Sequence, residues 1–117
     1  MADQALVVLS TFPDADKAAQ IARALVDERL AACVNVVAGV RSIYRWGGAV
    51  HDDGEVLAII KTVRARYPAL AARLAELHPY EVPEIVALTV ADGHPPYLAW
   101  LAGETAPEPA PAAPERR

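Results

Sequence analysis

The sequence predicts an α+β domain in which strands and helices follow the order β-α-β-β-α-β, with one more short helix at the end. Four apolar runs rich in valine and isoleucine have strand composition: residues 5–11, 32–46, 55–62 and 85–90. The segments between them either show the apolar spacing of a helix or contain the Gly, Pro and Asp of turns. These observations together predict the order.

The first two elements are a buried strand and a helix. Residues 5–11 form a nearly continuous apolar run, which is typical of a strand covered on both faces. Pro13 ends this strand, because the residue before a proline avoids helical angles. Asp14 can then cap a helix that runs to about Leu30, with its apolar residues on one face.

The next two strands are predicted to form one long hairpin. Gly39 interrupts residues 32–46 and indicates a bulge or bend within a single strand. Glycines and aspartates in residues 47–54 are predicted to connect it to the strand 55–62. Fifteen extended residues span about 50 Å, whereas a usual strand is about 17–20 Å long. The hairpin is therefore expected to extend beyond the sheet.

A second helix, a fourth strand and a final helix complete the domain. The helix begins near Tyr67, where Pro68 suits the first turn, and ends at His78. Residues 85–90 are the fourth strand, and the final helix runs from Pro95 through about Ala102.

Right-handed crossovers turn this order into the ferredoxin-like arrangement, with four antiparallel strands and both main helices on one face. The third and first strands are then central. Because no helix covers the other face, its valines and isoleucines meet water or another subunit, and the long hairpin leaves an exposed edge. Self-association is expected from the fold alone.

The predicted domain covers residues 1–104. Residues 105–117 are mainly alanine and proline, a composition that cannot form a core, so this segment is predicted to be a disordered tail.

The composition favours a cytoplasmic protein that binds neither nucleic acid nor membrane. The net charge is −4, and the basic residues form no patch that could replace phosphate counterions. No run approaches the about 20 apolar residues of a membrane span. The lone cysteine, Cys33, fits a reducing compartment and is expected to be a small core residue.

Catalytic patterns are not recognisable in the sequence. Ser10, Ser42 and Cys33 lack the glycine turn that presents a nucleophile, and the glycines match no phosphate-binding spacing. The sequence therefore predicts a binding protein and no enzyme.

The densest polar segment is residues 78–84, which combines His78 with Glu81 and Glu84. Imidazole and carboxylate together suit Cu(II), Zn or Ni. In a plainer interpretation His78 interacts with the negative end of its helix while the glutamates are solvated. Lys61 lies in an apolar run, so its ammonium must reach the sheet edge or find a carboxylate or an anion.

Several segments together closely resemble the CutA family of divalent-cation tolerance proteins: ERLAACVNVV (28–37), SIYRW (42–46), IIKT (59–62), HPYEVPEIVAL (78–88) and YLAWL (97–101). The resemblance implies a ferredoxin-like fold, a compact homotrimer similar to the PII signalling proteins, and tolerance to copper and other divalent metals. It also implies a copper ligand at His78. The two other proposed ligand positions hold Leu77 and Ser10 in this chain.

The resulting prediction is a trimeric cytoplasmic protein of divalent-cation tolerance, which binds Cu(II) or another divalent ion weakly between subunits. Its cleft is expected to combine His78 as a metal ligand with five further side chains: Lys61, Tyr80, Glu84 and a neighbour's Tyr44 and Trp46. Two alternatives remain open. The protein could be a PII-like module that responds to a small anion, and Lys61 could pair with Glu84 across subunits.

Overall fold

The computed structural model describes residues 3–107, and the structural statements below refer to these residues. The elements are β1 (Ala5–Phe12), α1 (Ala15–Asp27), β2 (Cys33–Trp46), β3 (Ala49–Val63), α2 (Tyr67–Leu77), β4 (Val86–Thr89) and α3 (Pro95–Glu104). This confirms the predicted order of elements. None of these helices is long and apolar enough to cross a membrane.

The four strands form one antiparallel sheet in the order β2-β3-β1-β4. β3 and β1 are central, and the short β4 pairs with β1 through Leu6–Leu9 on one edge. The predicted ferredoxin-like topology is therefore confirmed.

Helix α1 begins and ends on two local signals. The main-chain N–H of Lys17 donates to Oδ1 of Asp14 at 2.7 Å, so the predicted cap forms. The helix ends at Asp27, three residues before the predicted end. Arg29 adopts φ of 61°, which no helix residue can have, and so turns the chain toward β2.

The turn of the long hairpin is shorter than predicted. Only Gly47 and Gly48 connect β2 to β3, with φ of 61° and 80°, as a two-residue turn with two positive φ angles requires. Residues 49–54, expected in the connection, belong to β3 instead. Their polar side chains suit a strand here because this end of the hairpin extends past β1 and has no core to bury.

The predicted bulge is present in β2. The register shifts between Val37 and Val40, which pair with Leu57 and Glu55, and Gly39 has φ of 81°. β2 thus contains one residue more than β3 over this interval.

The main core lies between one face of the sheet and helices α1 and α2. Its largest fully buried side chains come from both layers: Leu6, Val8, Phe12 and Ile60 from the sheet, and Leu25, Leu70 and Leu74 from the helices. A second cluster, Ala32, Val63 and Leu101, lies beneath α3. The Oγ of Ser10 is also buried, and within residues 3–107 it has no hydrogen-bond partner.

The opposite face of the sheet, here called the open face, stays largely uncovered. Val86 and Leu88 of β4 are 47% and 49% exposed and lie opposite Leu9 and Val7 of β1. Cys33 also lies on this face, opposite Lys61, and is half-buried. The expectation that Cys33 belongs to the core is therefore wrong, because β2 turns this residue away from the helices.

The packed part of the chain continues past the predicted boundary at residue 104. Thr105 is fully buried and its hydroxyl donates to the carbonyl of Leu101 at 3.0 Å. Arg29 donates to the carbonyls of Ala106 and Gly103, each at 2.9 Å. Residues 108–117 lie outside the described residues, so the disordered tail stays a prediction.

Candidate functional site

A groove of about 860 Å³ lies between the end of the β2–β3 hairpin and the segment that leads into β4. Its lining comprises Thr11, Glu55, residues 42–46 and residues 79–84. Four predicted side chains, Tyr44, Trp46, Tyr80 and Glu84, thus share one groove. A single chain forms it, whereas the sequence suggested that a neighbour supplies the two hairpin aromatics.

The bulge in β2 determines which hairpin side chains reach the groove. Side chains alternate between the faces of a strand, and one additional residue reverses the alternation. Before the bulge Val37 lies on the open face with Leu57, and after it Tyr44 lies on that face opposite His51. Trp46 follows two residues later. Both aromatic rings therefore lie on the side that also carries Glu55.

Two tyrosines of this region donate hydrogen bonds to carboxylates. The hydroxyl of Tyr80 donates to Oε2 of Glu55 at 2.7 Å, and that of Tyr44 donates to Oδ2 of Asp53 at 2.6 Å. Burial, followed by the bond to Glu55, raises the pKa of Tyr80 well above its usual value. The bond to Asp53 is the main reason that the pKa of Tyr44 is raised. Both phenols remain protonated donors at neutral pH.

Further contacts hold the end of the hairpin. The rings of Tyr44 and His51 stack with centroids 5.3 Å apart, and Nε2–H of His51 donates to the carbonyl of Trp46 at 3.1 Å. Arg41 makes a two-point ion pair with Asp52 at 2.8 and 2.7 Å. This guanidinium lowers the pKa of Asp52, so the pair stays charged.

His78 lies beside the groove with both ring nitrogens engaged. Its Nε2 is 2.8 Å from the carbonyl oxygen of Thr11, which can only accept, so Nε2 carries the proton. Nδ1 accepts from the main-chain N–H of Tyr80 at 3.1 Å. The ring stacks on Phe12 with centroids 4.5 Å apart, and burial lowers the pKa of His78. In this conformation the neutral imidazole has no lone pair free for a metal ion.

Lys61 lies away from the groove. It pairs with Val7 and Cys33 in the middle of the sheet, and its ammonium donates to Oδ1 of Asn35. Lys61 is six positions from Glu55 in the extended strand, a distance of about 20 Å along β3. Within one chain, Lys61 is therefore not part of the site that the sequence suggested.

The donors do not fit a copper centre within one subunit. Across residues 3–107, no three His, Cys, Asp or Glu side chains come close enough together to hold a metal ion. Ser10 is buried in the main core, and Leu77 packs against that core, so neither position supplies a ligand. A specific high-affinity Cu(II) site is not supported by this geometry.

Sequence reasoning missed Glu55, the carboxylate nearest to Tyr80. The sequence predicts a connection through residue 54, so the predicted hairpin pairing does not include a partner for Glu55. A signal was present, because the alternation after the bulge at Gly39 places Glu55 on the same face as Tyr44. Counting across the bulge would have brought the two side chains together.

The fold and the groove define a class: a small ferredoxin-like α+β domain with an open sheet face and a groove beside an extended hairpin. Residues 6–104 match the family described as CutA1 divalent ion tolerance protein. The chain belongs to this family.

Individual relatives agree with this assignment. The divalent-cation tolerance protein CutA of Thermus thermophilus is 54% identical over 99 residues, which are 85% of this chain and 96% of the relative. Protein CutA of Mus musculus is 50% identical over 91 residues, 78% of this chain and 51% of the relative. The chain thus spans about half of the length of its mammalian relatives.

Solved structures show the same fold. The divalent cation tolerance protein of Thermus thermophilus superposes with a TM-score of 0.85 at 53% identity, covering 87% of this chain and 99% of that one. CutA1 of Oryza sativa gives a TM-score of 0.87 at 38% identity, covering 92% and 98%. The agreement extends over nearly the whole length of both neighbours.

Proposed function

We propose that this chain acts in divalent-cation tolerance as a homotrimeric cytoplasmic binding protein that catalyses no reaction. The family assignment supports the role in tolerance. The main support for the assembly is the exposure of β4. All four of its residues, Val86–Thr89, are exposed, although large apolar side chains alternate with small ones along the strand.

Another subunit would cover two exposed parts of this surface, the β4 edge and the hairpin end. Val86 and Leu88 keep about half of their surface in water, and β4 is an edge strand with no strand partner on its outer side within residues 3–107. The hairpin end extends past β1 and exposes Ile43 and Val50, which are 66% and 63% exposed. Burying such surface contributes about 25 cal/mol per Å² of apolar area. Pairing between subunits would provide hydrogen-bond partners for the edge of β4 and would bury the apolar side chains of the open face.

Direct contact with a divalent ion is expected to be weak. A metal on His78 would have to displace either the Tyr80 N–H from Nδ1 or the proton from Nε2. Because no three His, Cys, Asp or Glu side chains come together within residues 3–107, one subunit offers no complete ligand set around His78. This supports tolerance without a tight copper centre.

The compartment is proposed from composition. The chain has one cysteine, which fits a reducing environment. A relative in Arabidopsis thaliana is named chloroplastic, and a structural neighbour from Archaeoglobus fulgidus is named periplasmic, so the names of relatives place them in different compartments. Fractionation of cells that express the tagged chain, with cytoplasmic and envelope markers, tests the proposal.

The alternative of an anion-responsive module has no comparable support. Three glutamates, Glu55, Glu81 and Glu84, line the groove, and Arg45 is its sole lining arginine or lysine in the described part of the chain. An anionic ligand would meet net repulsion there.

A growth assay tests the proposed function. Cells that lack their own family member are grown in rising Cu(II) with wild type, Leu88→Lys, or Val26→Lys as a control on the outer face of α1. We expect wild type and the control to restore growth, and Leu88→Lys, which prevents assembly, to fail. If the wild-type chain gives no protection, the role in tolerance is wrong; if monomeric Leu88→Lys protects fully, assembly is not needed.

A further inference from the structure

The groove combines aromatic surface with unpaired negative charge. Tyr44 and Trp46 are 41% and 56% exposed, so part of each ring remains available to a ligand. Glu81 and Glu84 are exposed, and neither forms a salt bridge with any residue from 3 to 107. With Glu55, these carboxylates outnumber the single guanidinium of Arg45. The groove therefore attracts cations.

The arrangement of these carboxylates distinguishes between kinds of cation. A metal ion needs several donors around one point, and the described residues provide no such group. The three glutamates all line a groove of about 860 Å³, which is large enough for a small organic molecule, but within residues 3–107 they do not converge on one point. Separated negative charges suit a ligand whose positive charges are also separated.

We propose that the groove binds a linear organic cation with two or more ammonium groups joined by methylene chains, the polyamine class. Its ammonium groups meet Glu55, Glu81 and Glu84, and its methylenes lie on the faces of Tyr44 and Trp46. Ammonium groups are attracted to aromatic faces as well as to carboxylates, so both components of the lining contribute. This inference rests on the proposed role of the chain as a binding protein but not on metal binding.

The tyrosine hydrogen bonds favour this ligand class. Oε2 of Glu55 accepts from Tyr80, which fixes the carboxylate and leaves Oε1 available to an ammonium group. Tyr44 is held in the same way by Asp53 and by its stack on His51. The cationic ligand would therefore meet side chains whose orientation is already set, which lowers the entropy cost of binding.

Calorimetric titration of the full chain with spermidine at low and physiological salt tests the proposal. Trp46→Ala is expected to weaken spermidine binding about fivefold through loss of the aromatic face. Glu84→Gln is expected to weaken it about threefold, as for an exposed ion pair. Asp27→Asn removes the same charge at an exposed position on α1 and is expected to leave affinity unchanged. AMP, an anion, is expected to produce no heat.

Several outcomes overturn the inference: spermidine produces no heat, AMP binds more tightly than spermidine, or Asp27→Asn weakens binding as much as Glu84→Gln. Sedimentation of the same samples keeps this test separate from the proposed assembly. A trimer that ignores spermidine overturns the ligand class alone. A monomer that binds spermidine overturns the assembly alone.

Discussion

The side chain of Tyr80 donates a 2.7 Å hydrogen bond to Glu55, and its own main-chain N–H donates to Nδ1 of His78 at 3.1 Å. One residue thus joins a groove carboxylate to an imidazole packed on Phe12 in the core. Both bonds come from the short segment that follows α2. The groove wall and the core beneath it are therefore expected to respond together to changes at either end.

Tyr80→Phe is expected to cost about 1 kcal/mol of unfolding free energy at neutral pH, because Glu55 loses its donor. The pKa of Tyr80 is raised in the folded state, so above about pH 10 the unfolded chain loses this proton first. Wild-type stability should fall as pH rises through that region, and the variant should lose less. Urea denaturation at pH 8 and pH 10.5 measures both effects. Tyr97→Phe, on α3, is the control and should behave like wild type.

His78→Ala is expected to cost about 2–4 kcal/mol, since it removes a buried ring and leaves the Thr11 carbonyl and Tyr80 N–H without partners. Burial lowers the pKa of His78, so its contribution is complete above about pH 6.5 and is lost as pH falls through the lowered pKa. Thermal melts between pH 7.5 and 5 follow this loss. His94→Ala, at the exposed start of α3, should change little. Equal effects from the two substitutions would contradict a buried, hydrogen-bonded His78.

His78→Gln tests copper binding separately from folding. Because both ring nitrogens of His78 are already engaged, we expect the affinity for Cu(II) to stay within about twofold of wild type. Competition titration against a copper chelator, on samples shown by circular dichroism to be folded, gives the comparison. A tenfold loss would show that His78 releases one of its bonds to ligate the metal.

Leu88→Lys is expected to convert a trimer into monomers. The substitution places a charge on the face where Leu88 lies opposite Val7, and an unpaired charge buried between subunits is costly. Val26→Lys changes a side chain that is 40% exposed on α1 and should leave the assembly intact. Sedimentation equilibrium at micromolar concentration shows whether each variant is a trimer or a monomer. Wild-type monomers under these conditions would remove the basis for the proposed assembly.

The side chain of Arg29 is expected to stabilise the C-terminal segment. Its positive φ angle is expected to strain the backbone at this residue. Arg29→Ala loses the bonds to Gly103 and Ala106 and keeps φ of 61°, whereas Arg29→Gly loses the bonds but accepts this angle readily. The glycine variant should therefore be more stable than the alanine variant by about 1 kcal/mol. Chemical denaturation of both proteins measures the difference, and a less stable glycine variant would contradict a strained Arg29.

The fold could be predicted because local signals and global topology agree. Pro13 and Asp14 define the start of α1, Gly39 defines the bulge, and the alternation of strands and helices defines the sheet order. The connection after β2 was predicted too long because His51, Asp52 and Asp53 are typical turn residues. They lie in a strand since Asp52 and Asp53 pair with side chains of β2 across the hairpin.

The groove was predicted only in part. Tyr44, Trp46, Tyr80 and Glu84 are predicted from residue types and from the expected strand order, neither of which gives distances between side chains. The sequence predicts Lys61 in the cleft because a lysine in an apolar run needs a partner, and the structure shows that Asn35, beside it on β2, accepts its hydrogen bond. The residue type of Lys61 indicates what kind of partner it needs, whereas the strand register determines which residue lies close enough to be that partner.

The bulge at Gly39 makes the faces of the hairpin depend on the number of residues in β2. Deleting one residue between Val37 and Val40 would remove the bulge but still let Val40 pair with Glu55, so Tyr44 and Trp46 would stay on the groove side. Deleting two residues would leave β2 one residue short of β3, shift the pairing of the hairpin end, and turn Tyr44 and Trp46 to the other face. Natural variation and protein engineering should therefore tolerate the loss of one residue in this stretch better than the loss of two.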